Sequence, residues 1–171
     1  MQAALVNPFL AAAIEVIEQE TGLQVTRGDL RMQKSTHLGH DLTVILAVTG
    51  AAEGVVLYGM SVETALGIVG NIMGEEFPEF DELAESGIAE LGNVITGRAT
   101  ALLEEAGLNS DISPPTIVHG AGTRLSTLDL ARLVIPLTTE VGPIEIDVAL
   151  RERKDKRGPV DTDVRTAKPQ V

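Results

Sequence analysis

Apolar residues recur at helical spacing from Asp81 to Ala106. At about 100° per residue, Ile88, Leu91, Ile95, Ala99 and Leu102 fall on one side. Asp81 is placed to cap this helix, Glu82 and Glu85 suit its first turn, and Gly107 suits its end. The opposite side carries Ser86, Glu90, Asn93, Gly97, Ala101 and Glu104, a stripe of small residues with one acid and one amide near its middle. A second helix is predicted from Asn7 to Thr21, with Asn7 at the N-cap, Pro8 in the first turn, Gly22 at the end and Phe9, Ala13, Val16 and Ile17 turned inward. A third, Val62 to Gly74, starts at the cap residue Ser61 and buries Leu66, Ile68, Val69, Ile72 and Met73.

Strand patterns fill the gaps between helices. Leu23 to Gln33 alternates and breaks at Gly28-Asp29. Asp41 to Val48 and Gly54 to Met60 are apolar runs joined by TGAAEG, and predict a hairpin covered on both faces. Ser113 to Gly120 is a further strand, opened by Pro114-Pro115. Leu130 to Thr138 and Ile144 to Leu150 form a second hairpin. In its last strand Glu145 and Asp147 alternate with apolar residues, which predicts one wet face. A shift of 85 residues lays Gly22-Leu23 on Gly107-Leu108, each after a helix and before a strand and hairpin, so the chain reads as two related halves. The fold class expected is α+β, with long helices packed on an antiparallel sheet.

Composition narrows the possibilities. The 171 residues lack Cys and Trp, so disulfides and thiol chemistry are excluded and the core is aliphatic. No apolar run is long enough to span a bilayer and no leader pattern opens the chain, so a cytoplasmic protein is the default expectation. Residues 1–150 hold 6 basic and 21 acidic residues and form the expected domain; residues 151–171 hold 7 basic and 4 acidic and read as a charged, flexible tail. An acidic body does not suit nucleic acid or an anionic membrane, but steers a partner with Lys or Arg at its contact site. His37 and His40, in HLGH, lack a completing ligand set, so no metal is expected there. His119 reads as structural. Gly70-Asn71 mimics Gly92-Asn93, but Ile68 replaces the acid, so no second site is expected there.

An acid and an amide on an exposed helix face are often merely solvated. Their context here says more. Ser86, three residues, Glu90, two residues, Asn93, then twenty-one residues to Pro115, inside GIAELGNVITGRATALLEEAGL and ISPPTIVHG, resembles the signature of the CheC/CheX/FliY chemotaxis phosphatases, and the CheX branch in particular. The opening NPFLAAAIEVIEQETGLQVTRG is similar to the start of that branch, and the resemblance spans roughly residues 5 to 150. That family allows Asp or Ser at the first position.

The resemblance implies a CheC-like fold and hydrolysis of the aspartyl phosphate of a CheY-like response regulator. Asn93 would orient the attacking water, and Glu90 would pair with the Lys beside the regulator's Asp. The chain would need no cofactor of its own, because Mg2+ would come with the regulator. A homodimer is implied as well. Ser86, one turn before Glu90, is a candidate contact for the partner or for Glu90, or an ordinary exposed serine. Gly97 would let the partner approach, and Pro115 would set the strand that supports the helix. In the repeat alignment Glu90 falls on Leu5 and Asn93 on Pro8, which implies one site per chain. The competing readings are a non-catalytic scaffold on the same fold, like the flagellar switch proteins, and an acidic oligomerisation domain.

Overall fold

The computed structural model describes residues 2–34, 36–127 and 130–154. The long apolar helix is α3, Glu82–Glu105. The Asp81 carboxylate accepts from the Ala84 N–H at 2.9 Å, and Gly107, at φ 83°, provides the left-handed residue that ends it. Ile88, Leu91, Ile95 and Ala99 are buried as the periodicity requires, but the fully buried residue in the last turn is Leu103, with Leu102 half-buried. Helix α1 runs Ala3–Thr21 and starts four residues before the expected Asn7. Leu5 and Val6 are buried in that added turn, and burial of two aliphatic side chains outweighs the capping preference of Asn7. Pro8 therefore lies inside the helix. Helix α2 is Val62–Met73, capped by the Ser61 hydroxyl accepting from the Thr64 N–H. Its Ile68 and Val69 are buried, Leu66 and Ile72 are half-buried, and Met73 is exposed, against expectation.

The strands are β1 (Thr26–Arg27), β2 (Arg31–Gln33), β3 (Thr36–Leu38), β4 (Leu42–Gly50), β5 (Ala52–Met60), β6 (Ser110–Ile112), β7 (Thr116–His119), β8 (Arg124–Ser126), β9 (Arg132–Thr139) and β10 (Gly142–Glu152). Strands β4 and β5 pair from Leu42–Met60 to Val48–Gly54, so TGAAEG forms the turn as expected, while Thr49–Gly50 and Ala52–Glu53 continue onto β6 and β10. The main sheet is antiparallel in the order β1-β9-β10-β5-β4-β6, with β2 also on β9 and β7 also on β4; β3 and β8 form a separate ribbon. Exchanging β1 with β6, β4 with β9 and β5 with β10 returns the same order reversed. The two halves are therefore related about the β5–β10 pair, and each lends its first strands to the edge of the other. The offset between halves is 85 residues from Arg31 to Thr116 but 90 from Leu42 to Arg132, so the repeat is not of constant length. Helix α2 has no counterpart in the second half among the described residues.

Helices α1 and α3 pack on one face of the sheet, over Val44, Leu46, Val56, Tyr58, Ile135, Ile144, Ile146 and Val148. The other face is not wet where the alternation predicted it. Asp147 is only 2% exposed and pairs with the fully buried Arg132. Arg132 also donates to the Lys34 carbonyl and the Gln33 side chain, so the segment entering β3 covers this end of the sheet. Glu145, half-buried, accepts from Arg31 at 2.9 Å and meets His40 Nε2 at 3.2 Å. A period-two pattern cannot reveal such a cover, because a charged residue that is paired in the interior keeps the same spacing as a solvated one. The region expected to be a tail from residue 151 begins in β10, which extends to Glu152, and residues 155–171 lie outside the described residues.

Candidate functional site

Helix α3 holds the acid and the amide on the side away from the sheet. Glu90 is exposed and Asn93 half-buried. They stand about 4.5 Å apart along the axis, so their side chains are neighbours. Neither side chain has a hydrogen-bond or ion-pair partner among the described residues. Ser86 and Ala101 are also exposed, and a Cβ added at Gly97 would meet nothing within 4 Å. The stripe expected from the periodicity is thus a shallow, small-residue surface with the Glu90 carboxylate and the Asn93 carboxamide standing free near its middle.

The underside of the same turn is fixed firmly. A Cβ at Gly92 would lie 3.0 Å from Val44 Cγ1 and 3.5 Å from Leu46 and Tyr58, so any larger residue would press Val44 aside where the helix settles on β4 and β5. Thr96, fully buried, donates to the Gly92 carbonyl at 2.7 Å. The Tyr58 hydroxyl reaches Thr96 Oγ1 at 2.7 Å. Burial pushes the Tyr58 phenol far above its usual range, so it stays protonated and donates. The pattern GN had pointed to Asn93; the role of Gly92 as the point of contact with the sheet, and the Tyr58–Thr96 lock, had no periodic signal of their own.

The flanks of α3 are tied as well. Arg98 pairs with Glu15 of α1 at 3.1 Å. His119 at the end of β7 meets Glu85 at 3.1 Å and packs edge-on against Phe80, which matches the structural part expected of it. Pro115 is half-buried immediately before β7. Just upstream, Ser113 exchanges two bonds with Ala47 of β4, its N–H donating to the Ala47 carbonyl and its hydroxyl accepting from the Ala47 N–H. The look-alike Asn71 in α2 spends its amide on the Gly67 carbonyl of its own helix at 2.7 Å. His37 lies in β3, and His40 is engaged by Glu145; no group of potential metal ligands forms among the described residues.

Residues 42–138 match the family model described as chemotaxis phosphatase CheX. Over 139 residues the chain is 34% identical to the CheY-P phosphatase CheX of Thermotoga maritima, covering 81% of this chain and 89% of the relative. The chain belongs to the CheX family of chemotaxis phosphatases. The fold agrees with a CheC-like superfamily protein from Shewanella sp. PV-4, at TM-score 0.80 and 23% identity, over 88% of this chain and 99% of that one. A CheX–CheY–BeF3–Mg2+ complex from Borrelia burgdorferi contains a similar chain, at TM-score 0.67 and 28% identity, over 86% of this chain and 97% of that one. The α+β, two-halved architecture expected for the CheX branch is therefore the one present. Among the described residues of this CheX-family chain, no helix is long and apolar enough to cross a membrane.

Proposed function

We propose that this chain dephosphorylates a CheY-like response regulator by presenting Glu90 and Asn93 of α3 to the regulator's phosphorylated pocket. The observation that carries the reading is the pairing, on one rigid helix of a CheX-family chain, of an acid and an amide that have no partner among the described residues. Support for the partner comes from the Thermotoga relative, a CheY-P phosphatase, and from the Borrelia complex of CheX with CheY.

An acyl phosphate is reactive already, so the enzyme must chiefly position. The Asn93 carboxamide oxygen accepts a hydrogen bond from a water and its N–H donates to a phosphoryl oxygen, which sets the water in line. The water oxygen bonds to phosphorus, the phosphorus–oxygen bond to the regulator's Asp breaks, and a free carboxylate and inorganic phosphate leave. Asn93 cannot ionise and takes no proton. Glu90 forms a charge-assisted hydrogen bond to the regulator's Lys, fixing one protein on the other. The regulator supplies Mg2+; the Borrelia complex contains that ion. Ser86 lies one turn away on the docking face, Gly97 leaves room for the regulator's loops, and Pro115 opens the strand beside the helix. A homodimer is part of the same proposal: the outer β2 strand, with Met32 53% exposed, offers an edge to a second copy, and sedimentation equilibrium would detect it.

The test is to phosphorylate candidate regulators with a small radiolabelled phosphodonor and time the decay. Addition of this chain should accelerate it for a cognate regulator, and Asn93→Ala should abolish the acceleration. Undiminished phosphate loss with that variant would remove Asn93 from the mechanism.

A further inference from the structure

Beside the acid–amide stripe lies a groove of about 260 Å³, between the ends of α1 and α2 and the flank of α3. Ile72, Met73, Leu91 and Val94 line it, Gly87 lies beneath, and Ser86, Glu90 and Glu20 stand at its rim. Met73 and Val94 are 37% and 36% exposed, and Leu83, 51% exposed, continues the apolar strip on the same side of α3 one turn earlier. The groove is smaller than the roughly 300–1,000 Å³ typical of small-molecule sites. Its chemistry is that of a socket for a protein side chain, an apolar hollow with carboxylates only at the edge.

We propose that this groove receives an apolar side chain of the phosphorylated regulator, from a segment that also carries Lys or Arg, and that the contact sets affinity for the regulator while Asn93 sets turnover. The proposal rests on the regulator-phosphatase reading above. Two features select this occupant. Glu90 belongs both to the rim and to the acid–amide pair, so a protein seated on the pair lies against the edge of the groove. Glu20 and Glu90 have no ion-pair partners among the described residues, and Glu75 and Glu76 add acidic charge at the end of α2, so the rim favours a basic partner. A second copy of this acidic chain would set carboxylates against carboxylates. Met73 is suited to the task because its unbranched thioether adapts to the shape of the incoming side chain.

Three variants test it. Met73→Ser and Val94→Ser remove the apolar walls. Gly87→Leu plugs the hollow instead: a Cβ there would first meet the Met73 and Val69 side chains, at 3.3–3.5 Å, and replacing a helical glycine favours the helix. Binding is measured by titration with a cognate regulator activated with beryllofluoride, and turnover by phosphate release. Each variant should raise Kd and KM about tenfold, with kcat within twofold of wild type. Asn93→Ala serves as the contrast, losing kcat with Kd nearly unchanged. Wild-type Kd in all three groove variants, alongside a dead Asn93→Ala, overturns the groove assignment and spares the phosphatase reading. A wild-type chain that speeds the decay of no regulator overturns both.

Discussion

The Tyr58 hydroxyl donates to Thr96, and Thr96 donates in turn to the carbonyl of Gly92, each bond 2.7 Å long. The chain of bonds ends one residue before Asn93, so a strand of the sheet holds the turn of helix that carries the amide. Removing the Tyr58 hydroxyl deletes one net hydrogen bond, whereas Thr96→Val leaves the buried phenol without an acceptor. Tyr58→Phe should cost about 1 kcal/mol and Thr96→Val about 1–3 kcal/mol, with the double variant costing less than the sum. Urea unfolding of the four proteins checks this, and strict additivity would mean that the two hydroxyls do not interact.

Asn93→Ala should lower regulator dephosphorylation by at least about a hundredfold, the scale seen when one positioned polar group is lost from an active site. Its melting temperature should stay within a degree or so, because the side chain has no partner among the described residues. Glu90→Lys should act mainly on KM, by placing like charge against the regulator's Lys. A large loss of stability in either variant would show that these side chains belong to the fold.

The two glycines of the central helix should respond oppositely. Gly97→Ala should stabilise the chain by about 0.5–1 kcal/mol, since nothing stands in the way of a Cβ and the backbone is helical. Gly97→Leu should keep that stability yet block the regulator. Gly92→Ala should destabilise, because its Cβ would crowd Val44 at 3.0 Å. Thermal melts with a binding titration separate the cases; a stabilising Gly92→Ala would mean that the sheet gives way easily.

The polar cluster opposite the helices predicts a pH dependence. Burial lifts the Asp147 carboxyl to about 6, against the pull of Arg132, and a hydrogen bond to the Glu145 carboxylate raises the His40 imidazole. Both groups hold protons more tightly in the folded state. Their contribution to stability is complete below their unfolded values of 3.8 and 6.5, and fades as pH rises through about 6 for Asp147 and through the raised value for His40. His40→Gln should therefore flatten the decline between pH 6 and 8, by less than about 1 kcal/mol because the ring is partly exposed. Denaturant midpoints that fall equally steeply with pH in both proteins would exclude His40 as the cause.

Breaking the buried pair is a harsher change. Arg132→Met leaves Asp147 buried without its guanidinium and should cost about 3–5 kcal/mol. Arg132→Met with Asp147→Leu should recover most of that loss. Calorimetry of both variants decides it, and equal instability would assign Arg132 its weight through Gln33 and Lys34 instead.

Much was legible in the sequence because it is local. The periodicity of Ile88, Leu91, Ile95 and Ala99, the cap at Asp81 and the stop at Gly107 are set by residues a few positions apart, and they place Glu90 and Asn93 on the outward side without reference to the rest of the chain. The start of α1 was misread for a related reason: Asn7 and Pro8 are a sound local signal, but Leu5 and Val6 gain more from a core that no local window contains. Asp147 was misread as wet because its cover comes from a segment more than a hundred residues away.

The sequence by itself determined three helices, the two long hairpins and one acid–amide pair at a spacing of three, since helix and strand periods follow from backbone geometry within each segment. Tertiary structure alone decided the exchange of edge strands between halves, the glycine on which the helix meets the sheet, the buried Arg132–Asp147 pair and the groove beside Glu90. Each of these depends on groups far apart in the chain, and their meeting is fixed by packing and by the need to satisfy buried polar atoms, which no pattern along the chain encodes.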